Sequence, residues 1–213
     1  MRELAEYFAK HHAEILRATL EHVWLVGGAM FLAIAVGVPL GIVVARRPWA
    51  SKVILGGANI AETIPSLALF GFLLPVPWLG ARADRLAIVA LLLYALLPII
   101  RNTAAGITGV SKPVREAARG MGMTDSQILW RVELPLAFST MLAGIRVAAV
   151  LTVGIATIAA AIGAGGLGEF IFRGLAMVND QLILAGAIPA ALLAIGADAI
   201  LGFLERRFRP AHA

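Results

Sequence analysis

The sequence predicts an all-α, polytopic membrane protein with about five transmembrane helices. Three observations carry that expectation. The 213-residue chain is 60% hydrophobic, with a mean hydropathy of +0.88 and only 15% charged residues, against roughly 25% in soluble domains. Its apolar residues fall into runs long enough, at about 1.5 Å per helical residue, to cross a hydrocarbon core of roughly 30 Å. Its basic residues stand at the ends of those runs. That is how membrane topology uses them, and it excludes the basic stripe of a nucleic-acid binder despite a net charge of +5. With no cysteine there is no disulfide framework and no thiolate metal site.

In residues 1–21 acids and bases alternate, with Leu4, Phe8, Ile15 and Leu20 at near-helical spacing. This reads as an amphipathic extracytoplasmic helix on the membrane surface. Glu3, Glu6, Glu14 and Glu21 argue against a cleavable signal peptide. His11 and His12 are adjacent and point to different helix faces, so they form a solvated pair and no metal site.

The permease-like body covers residues 22–205. Its first span, residues 23–45, is followed at once by Arg46, Arg47 and Lys52, and its Gly37 and Gly41 form a small-residue pair beside Pro39 that admits close helix packing. The second span, residues 53–74, is interrupted by Asn59, Glu62, Thr63, Pro65 and Ser66 and closed by Pro75-Val76-Pro77-Trp78. The third, residues 86–108, carries Pro98 and then Arg101-Asn102-Thr103. After a charged island at 111–133, the apolar run 134–167 exceeds one span. Its first part, with Ser139 and Thr140, is expected to lie along the interface and turn inward near Gly144. Gly163-Ala164-Gly165-Gly166-Leu167-Gly168 ends it. The fifth span, residues 182–203, contains Pro189 and Asp198 and leads into a basic tail, residues 206–213, with Arg206, Arg207 and Arg209.

Polar groups within these spans need water or a partner, because an ionisable side chain at mid-membrane costs at least about 2.5 kcal/mol. Asn59, Glu62, Thr63 and Ser66 share one helix stripe and, with Arg101 and Asn102, are the candidates for the transport path or a subunit interface. Glue between helices is the structural alternative. Counted from the inner ends, Arg101 and Glu62 lie at depths of roughly 10 and 14 Å, so the two are expected to meet. Arg146 is expected to reach Asp198, unless it snorkels to the headgroups.

The island has the local chemistry of two short helices. The Ser111 hydroxyl can cap a helix, Pro113 is tolerated in its first turn, and Gly122 suits the left-handed residue that ends it. A helix over about 112–121 follows. Thr124 stands three residues before Gln127, a capping-box spacing that starts a second helix carrying Ile128, Leu129 and Val132 on one side.

Across this knob runs Glu116-Ala117-Ala118, three residues, Gly122, nine residues, then Val132-Glu133-Leu134-Pro135. The pattern resembles the E-A-A, G, I-x-L-P signature of the permease subunits of ATP-binding-cassette importers, departing only in Val132 for Ile. The segments Thr63 to Leu69, Leu96 to Thr103, Ile162 to Gly168 and Leu182 to Pro189 are similar to permeases of osmoprotectant importers for glycine betaine, carnitine and choline. The resemblance implies the type I importer permease fold with a cytoplasmic coupling loop at about 111–133. It implies that Glu116, Ala117, Ala118, Gly122, Val132, Leu134 and Pro135 meet an ATPase subunit. It further implies a second permease subunit, identical or not, an ATPase dimer, an extracytoplasmic binding protein and surrounding lipid as partners. The quaternary ammonium would be caged by aromatic rings on the binding protein.

Such a chain is a transporter subunit and no enzyme, with no catalytic, cofactor-binding or metal-binding residues of its own. ATP and Mg are expected on the partner ATPase, since G-x-x-x-x-G-K-[ST] is absent. Gly163 to Gly168 formally matches G-x-G-x-x-G, but it closes a membrane span with no preceding strand, which excludes a dinucleotide site. A permease for methionine or another amino acid is the alternative cargo, and a channel or membrane scaffold outside the importer class is the alternative kind of protein.

Five spans place the termini on opposite sides. Arg46, Arg47, Lys52, Lys112, Arg115, Arg119, Arg131, Arg206, Arg207 and Arg209 fall on one side, against Arg2, Lys10, Arg17, Arg82, Arg85 and Arg173 on the other. The positive-inside rule makes the first group cytoplasmic, with the N-terminus outside a bacterial-type inner membrane and the C-terminus inside.

Overall fold

The computed structural model describes residues 2–208, and among them there are helices and no strands. Arg209 and the rest of the basic tail lie outside the described residues. Helix α1 (Arg2–Arg46) is continuous except for non-helical backbone at His11. The N-terminal amphipathic stretch is therefore the N-terminal end of the first span's own helix. Part of its apolar face is covered by the protein: Ile15 and Ala18 are buried with Leu167, Phe170, Leu182 and Ala185. Leu20 stays exposed.

Helix α1 runs parallel to the later span formed by Ala83–Thr108. A Cβ added at Gly28 would meet Ile88, one at Gly37 would lie 2.9 Å from Ile99, and one at Gly41 would lie 2.5 Å from Thr103. Positions rise together along both helices, so the chain between them must return across the membrane. It does so as a broken pair, α2 (Pro48–Thr63) and α3 (Ser66–Leu73), bent by 104°. Helix α2 packs Ala58, Ile54 and Leu55 on Leu97 and Ile100, while α3 packs Leu69 and Phe70 beside Leu25, Leu86 and Ala87. A short α4 (Pro77–Gly80) then leads into α5 (Ala83–Thr108). With the single helices Glu6–Arg46, Ala83–Thr108, Asp125–Ile162 and Asp180–Arg207, the broken pair makes five crossings.

The break follows from Pro65, which lacks an N–H and pushes the preceding Ile64 to an extended conformation (φ −70°, ψ 127°). The carbonyl freed at Ile64 accepts a hydrogen bond from the Tyr94 hydroxyl of α5. Ser66 thus belongs to a different helix from Asn59, Glu62 and Thr63, and the single polar stripe expected from spacing is divided at the bend.

The island forms α6 (Lys112–Gly120) and α7 (Asp125–Ile128), followed by a π-helical turn, Leu129–Glu133, and α8 (Leu134–Ala159). The expected interfacial stretch ending at Gly144 is not found: α8 is unbroken. Gly144 is a contact point, since an added Cβ would sit 2.5 Å from Asn102 Cβ and 2.6 Å from the Pro98 carbonyl of α5. Gly106 of α5 meets Ala137 and Thr140 in turn, so α5 and α8 are antiparallel.

At the C-terminal end of α8 a 3-10 turn, Ala160–Ile162, leads into the glycine-rich segment, where Gly163, Gly165 and Gly166 take φ of +79°, +84° and +81°. These left-handed positions are where glycine avoids the Cβ clash. The loop packs on α1: the Gly166 N–H lies 3.4 Å from a Glu21 carboxylate oxygen, and the buried His22 donates from Nε2 to the Val153 carbonyl at 3.1 Å. Helix α9 (Gly168–Met177) and α10 (Asp180–Arg207) complete the chain, and the Asn179 side chain accepts from the Gln181 and Leu182 N–H groups to start α10.

Candidate coupling site and transport path

The knob is held by its own backbone. Helix α6 ends in a Schellman arrangement: Met123 N–H donates to the Ala118 carbonyl at 3.2 Å and Gly122 N–H to Arg119 at 2.9 Å, with Gly122 at φ +79°. Thr124 and Gln127 form the expected capping box, with Gln127 N–H on Thr124 Oγ1 at 3.3 Å and Thr124 N–H on Gln127 Oε1 at 2.8 Å. Ser111 occupies the cap position of α6 with extended backbone, but its hydroxyl makes no cap hydrogen bond. With Pro113 in the first turn one N–H is already missing, so there is one donor fewer to satisfy.

The motif residues divide by burial. Glu116, Ala117, Gly122 and Pro135 are exposed, Val132 and Leu134 are half-buried, and Ala118 is only 2% exposed. The first group is available to a partner, whereas Ala118 supports the knob from beneath, as does the buried Ile128. Around the exposed group stand Val114, Met121 (75% exposed) and Trp130 (65% exposed). Large apolar side chains on a charged knob are the kind of exposed surface that protein or membrane contacts use.

Sequence reasoning missed the part played by Glu133. This carboxylate is fully buried, its Oε2 accepting from Arg46 Nη2 at 2.5 Å and its Oε1 lying 3.9 Å from Arg115 Nη1. It ties together the C-terminal end of α1, α6 and the start of α8. The available signal was a single acid at the foot of a span among Arg46, Arg47, Arg115 and Arg131.

The polar candidates within the spans also separate. Arg101 donates to Asn59 Oδ1 at 2.6 Å, so α2 and α5 are joined by this bond in place of the expected Glu62–Arg101 pair. Asn59 and Glu62 stand three residues apart on the same helix α2, and a count of depth along the span does not choose between such neighbours. Glu62 is half-buried and makes no hydrogen bond or ion pair among the described residues. Thr63 bonds back to the Ile60 carbonyl at 2.9 Å and Ser66 is half-buried at the start of α3. Asn102 donates to the Pro98 carbonyl at 2.9 Å and lies in the α5–α8 contact. On the far side of the bundle Arg146 meets Asp198 through two bonds, 2.6 and 2.8 Å, and reaches Glu205 at 3.2 Å. That pair was expected; the second carboxylate was not.

Five crossings, a capped two-helix knob at the same end as Arg46, and a buried carboxylate that joins the knob to the first span are the features of a membrane transport subunit. The chain belongs to the family described as binding-protein-dependent transport system inner membrane component, which matches residues 37–210. It is 43% identical over 210 residues to the carnitine transport permease protein OpuCB of Listeria monocytogenes, covering 99% of this chain and 95% of that one. It is 41% identical over 211 residues to the choline transport system permease protein OpuBB of Bacillus subtilis, covering 99% and 96%. Among solved structures it is similar to a chain of the MetNI methionine ABC transporter in an inward-facing conformation, with TM-score 0.83, 21% identity and coverage of 94% and 99%. The fold is thus the type I importer permease fold, and the protein is a multi-pass permease subunit of a binding-protein-dependent importer.

Proposed function

We propose that this permease carries quaternary-amine osmoprotectants of the carnitine, choline and glycine betaine kind. The observation that carries this is identity above 40%, over 99% of the chain, to relatives named for carnitine and choline transport. In this reading a binding protein delivers the solute to the outer face near α9, a second permease subunit pairs with this one, and an ATPase dimer holding ATP and Mg docks on α6. Nine basic residues among those described at the α6 end of the helices (Arg46, Arg47, Lys52, Lys112, Arg115, Arg119, Arg131, Arg206 and Arg207) against six at the other support a cytoplasmic knob, with the N-terminus outside. Nucleotide-driven closure of the ATPases would move α6, and the helices would alternate between outward and inward openings. No bond is made or broken by this chain's own side chains.

The cargo is tested on the cognate binding protein by titration calorimetry. Glycine betaine, carnitine or choline is expected to bind and methionine is not. Tight binding of methionine with none of the quaternary amines would transfer the protein to amino-acid uptake.

Glu62 is proposed to face the path, where a carboxylate attracts a cation; the supporting observation is that, beside a helix break, it makes no hydrogen bond or ion pair among the described residues. The chain has no cysteine, so Glu62→Cys gives a single thiol. It is expected to react with a membrane-impermeant thiol reagent in the assembled transporter and to be protected by saturating solute. Inertness in every nucleotide state would place Glu62 at a dry interface.

A further inference from the structure

We propose that Glu133 is a positioning residue that passes movement of the coupling helix to two spans at once, with Arg115 as the partner it engages and releases. The proposal deepens the reading of α6 as the ATPase-docking element and rests on it. Glu133 is the last residue of the π-helical turn Leu129–Glu133, so an extra residue is wound into the helix just before it. Such turns are costly to keep and recur at functional positions. Here the turn ends with a carboxylate that is completely inaccessible to solvent.

The two carboxylate oxygens are not equivalent. Oε2 is held at 2.5 Å by Arg46, the last residue of α1, and this fixes α1 to the foot of α8. Oε1 is buried without a hydrogen-bond partner among the described residues, and a second cation, Arg115 of α6, has its Nη1 3.9 Å away. A buried charged oxygen left without a donor is unfavourable, and a charge-assisted bond forms at about 2.8 Å. Movement of α6 by about an ångström toward α8 would therefore close a bond that this conformation holds open. Arg46 and Arg115 keep 33% and 32% of their side-chain surface exposed, so each can follow such a movement while Glu133 stays buried. Glu133 thus gives the knob a two-position contact: ion pair at a distance in one state, direct bond in the other. Because Arg46 is bonded to the same carboxylate, α1 and α8 feel the change together.

The test uses the full transporter, with its ATPase and binding protein, in proteoliposomes, and reads solute taken up per ATP hydrolysed for Arg115→Gln, Arg115→Lys, Glu133→Gln and the double variant Arg115→Gln/Glu133→Gln. Arg115→Gln and Glu133→Gln are expected to lower that ratio at least about fivefold, the lower end of measured coupling strengths. Arg115→Lys, which keeps the charge, is expected to restore most of it, and the double variant is expected to be no worse than Glu133→Gln alone. A ratio in Arg115→Gln equal to that of the unmodified protein overturns the proposal, and so do independent losses that multiply in the double variant. Should Glu133→Gln fail to assemble, Arg115→Gln and Arg115→Lys decide the matter, because residue 115 is half-exposed. If the unmodified chain retains no ATPase at all, the docking reading fails instead, which is a different result.

Discussion

Replacing Ala117 by arginine is expected to abolish solute uptake while leaving the amount of folded permease in the membrane unchanged. Ala117 is exposed on α6, between Glu116 and the buried Ala118 and near the uncovered Met121. Nothing in the protein itself occupies the space outside it, so a long side chain is accommodated in the isolated subunit. In the proposed assembly that space would belong to the docked ATPase, and filling it at the centre of a contact typically costs about 2 kcal/mol or more, on the order of thirtyfold in affinity. The measurement is ATPase copurification together with uptake, each against membrane yield. Ala118→Arg is the informative contrast. That position is 2% exposed, so a buried guanidinium there should lower yield before any assembly occurs. Normal copurification and normal uptake in Ala117→Arg would reject the docking role of α6.

Gly144→Ala is expected to destabilise the permease by about 1–3 kcal/mol, the usual penalty for overpacking a close contact. The new methyl carbon would lie 2.5 Å from Asn102 Cβ and 2.6 Å from the Pro98 carbonyl, and neither backbone atom nor Cβ can swing aside as a flexible chain end does. Gly154 lies on the same helix with open space around the corresponding position. Gly154→Ala is accordingly expected to be neutral or to stabilise by up to about 1 kcal/mol through helix propensity. Thermal unfolding of the two purified variants in one detergent checks the pair. Equal melting temperatures would mean that α5 and α8 do not approach as closely at Gly144 as described. The experiment also separates two accounts of that glycine, since a bend residue outside any contact would tolerate alanine.

Much of the architecture was legible along the chain because spanning a bilayer is a local requirement. A run of about twenty apolar residues either reaches across the hydrocarbon or does not, and the residues that flank it report the side. The same holds for the knob, where Thr124 and Gln127 cap within three residues and Gly122 ends α6 in the left-handed region. These contacts join near neighbours in sequence, so spacing alone specifies them. Arg146 and Asp198 were also within reach, since two straight helices share one depth scale.

What failed did so for one reason. Glu62 and Arg101 were matched by depth, but Arg101 bonds to Asn59, about one turn earlier on the same helix α2, a choice set by how α2 is turned against α5. Gly144 was read as a turn because small residues often turn, whereas its use depends on a helix some forty residues earlier pressing against it. Glu133 looked like the unspecified letter of a motif; only the approach of Arg46 and Arg115 makes it a buried hub.

The amino-acid order by itself determined the number of crossings, the exposed knob and the type of transporter, since each rests on hydrophobic length, end charges or a contiguous motif. The tertiary structure alone decided that α1 and α5 run parallel, that Arg101 bonds to Asn59 and not to Glu62, and that one carboxylate serves two arginines. Those outcomes depend on how each helix is rotated and tilted against its neighbours. That rotation is set by packing between residues far apart in sequence, which no local pattern encodes.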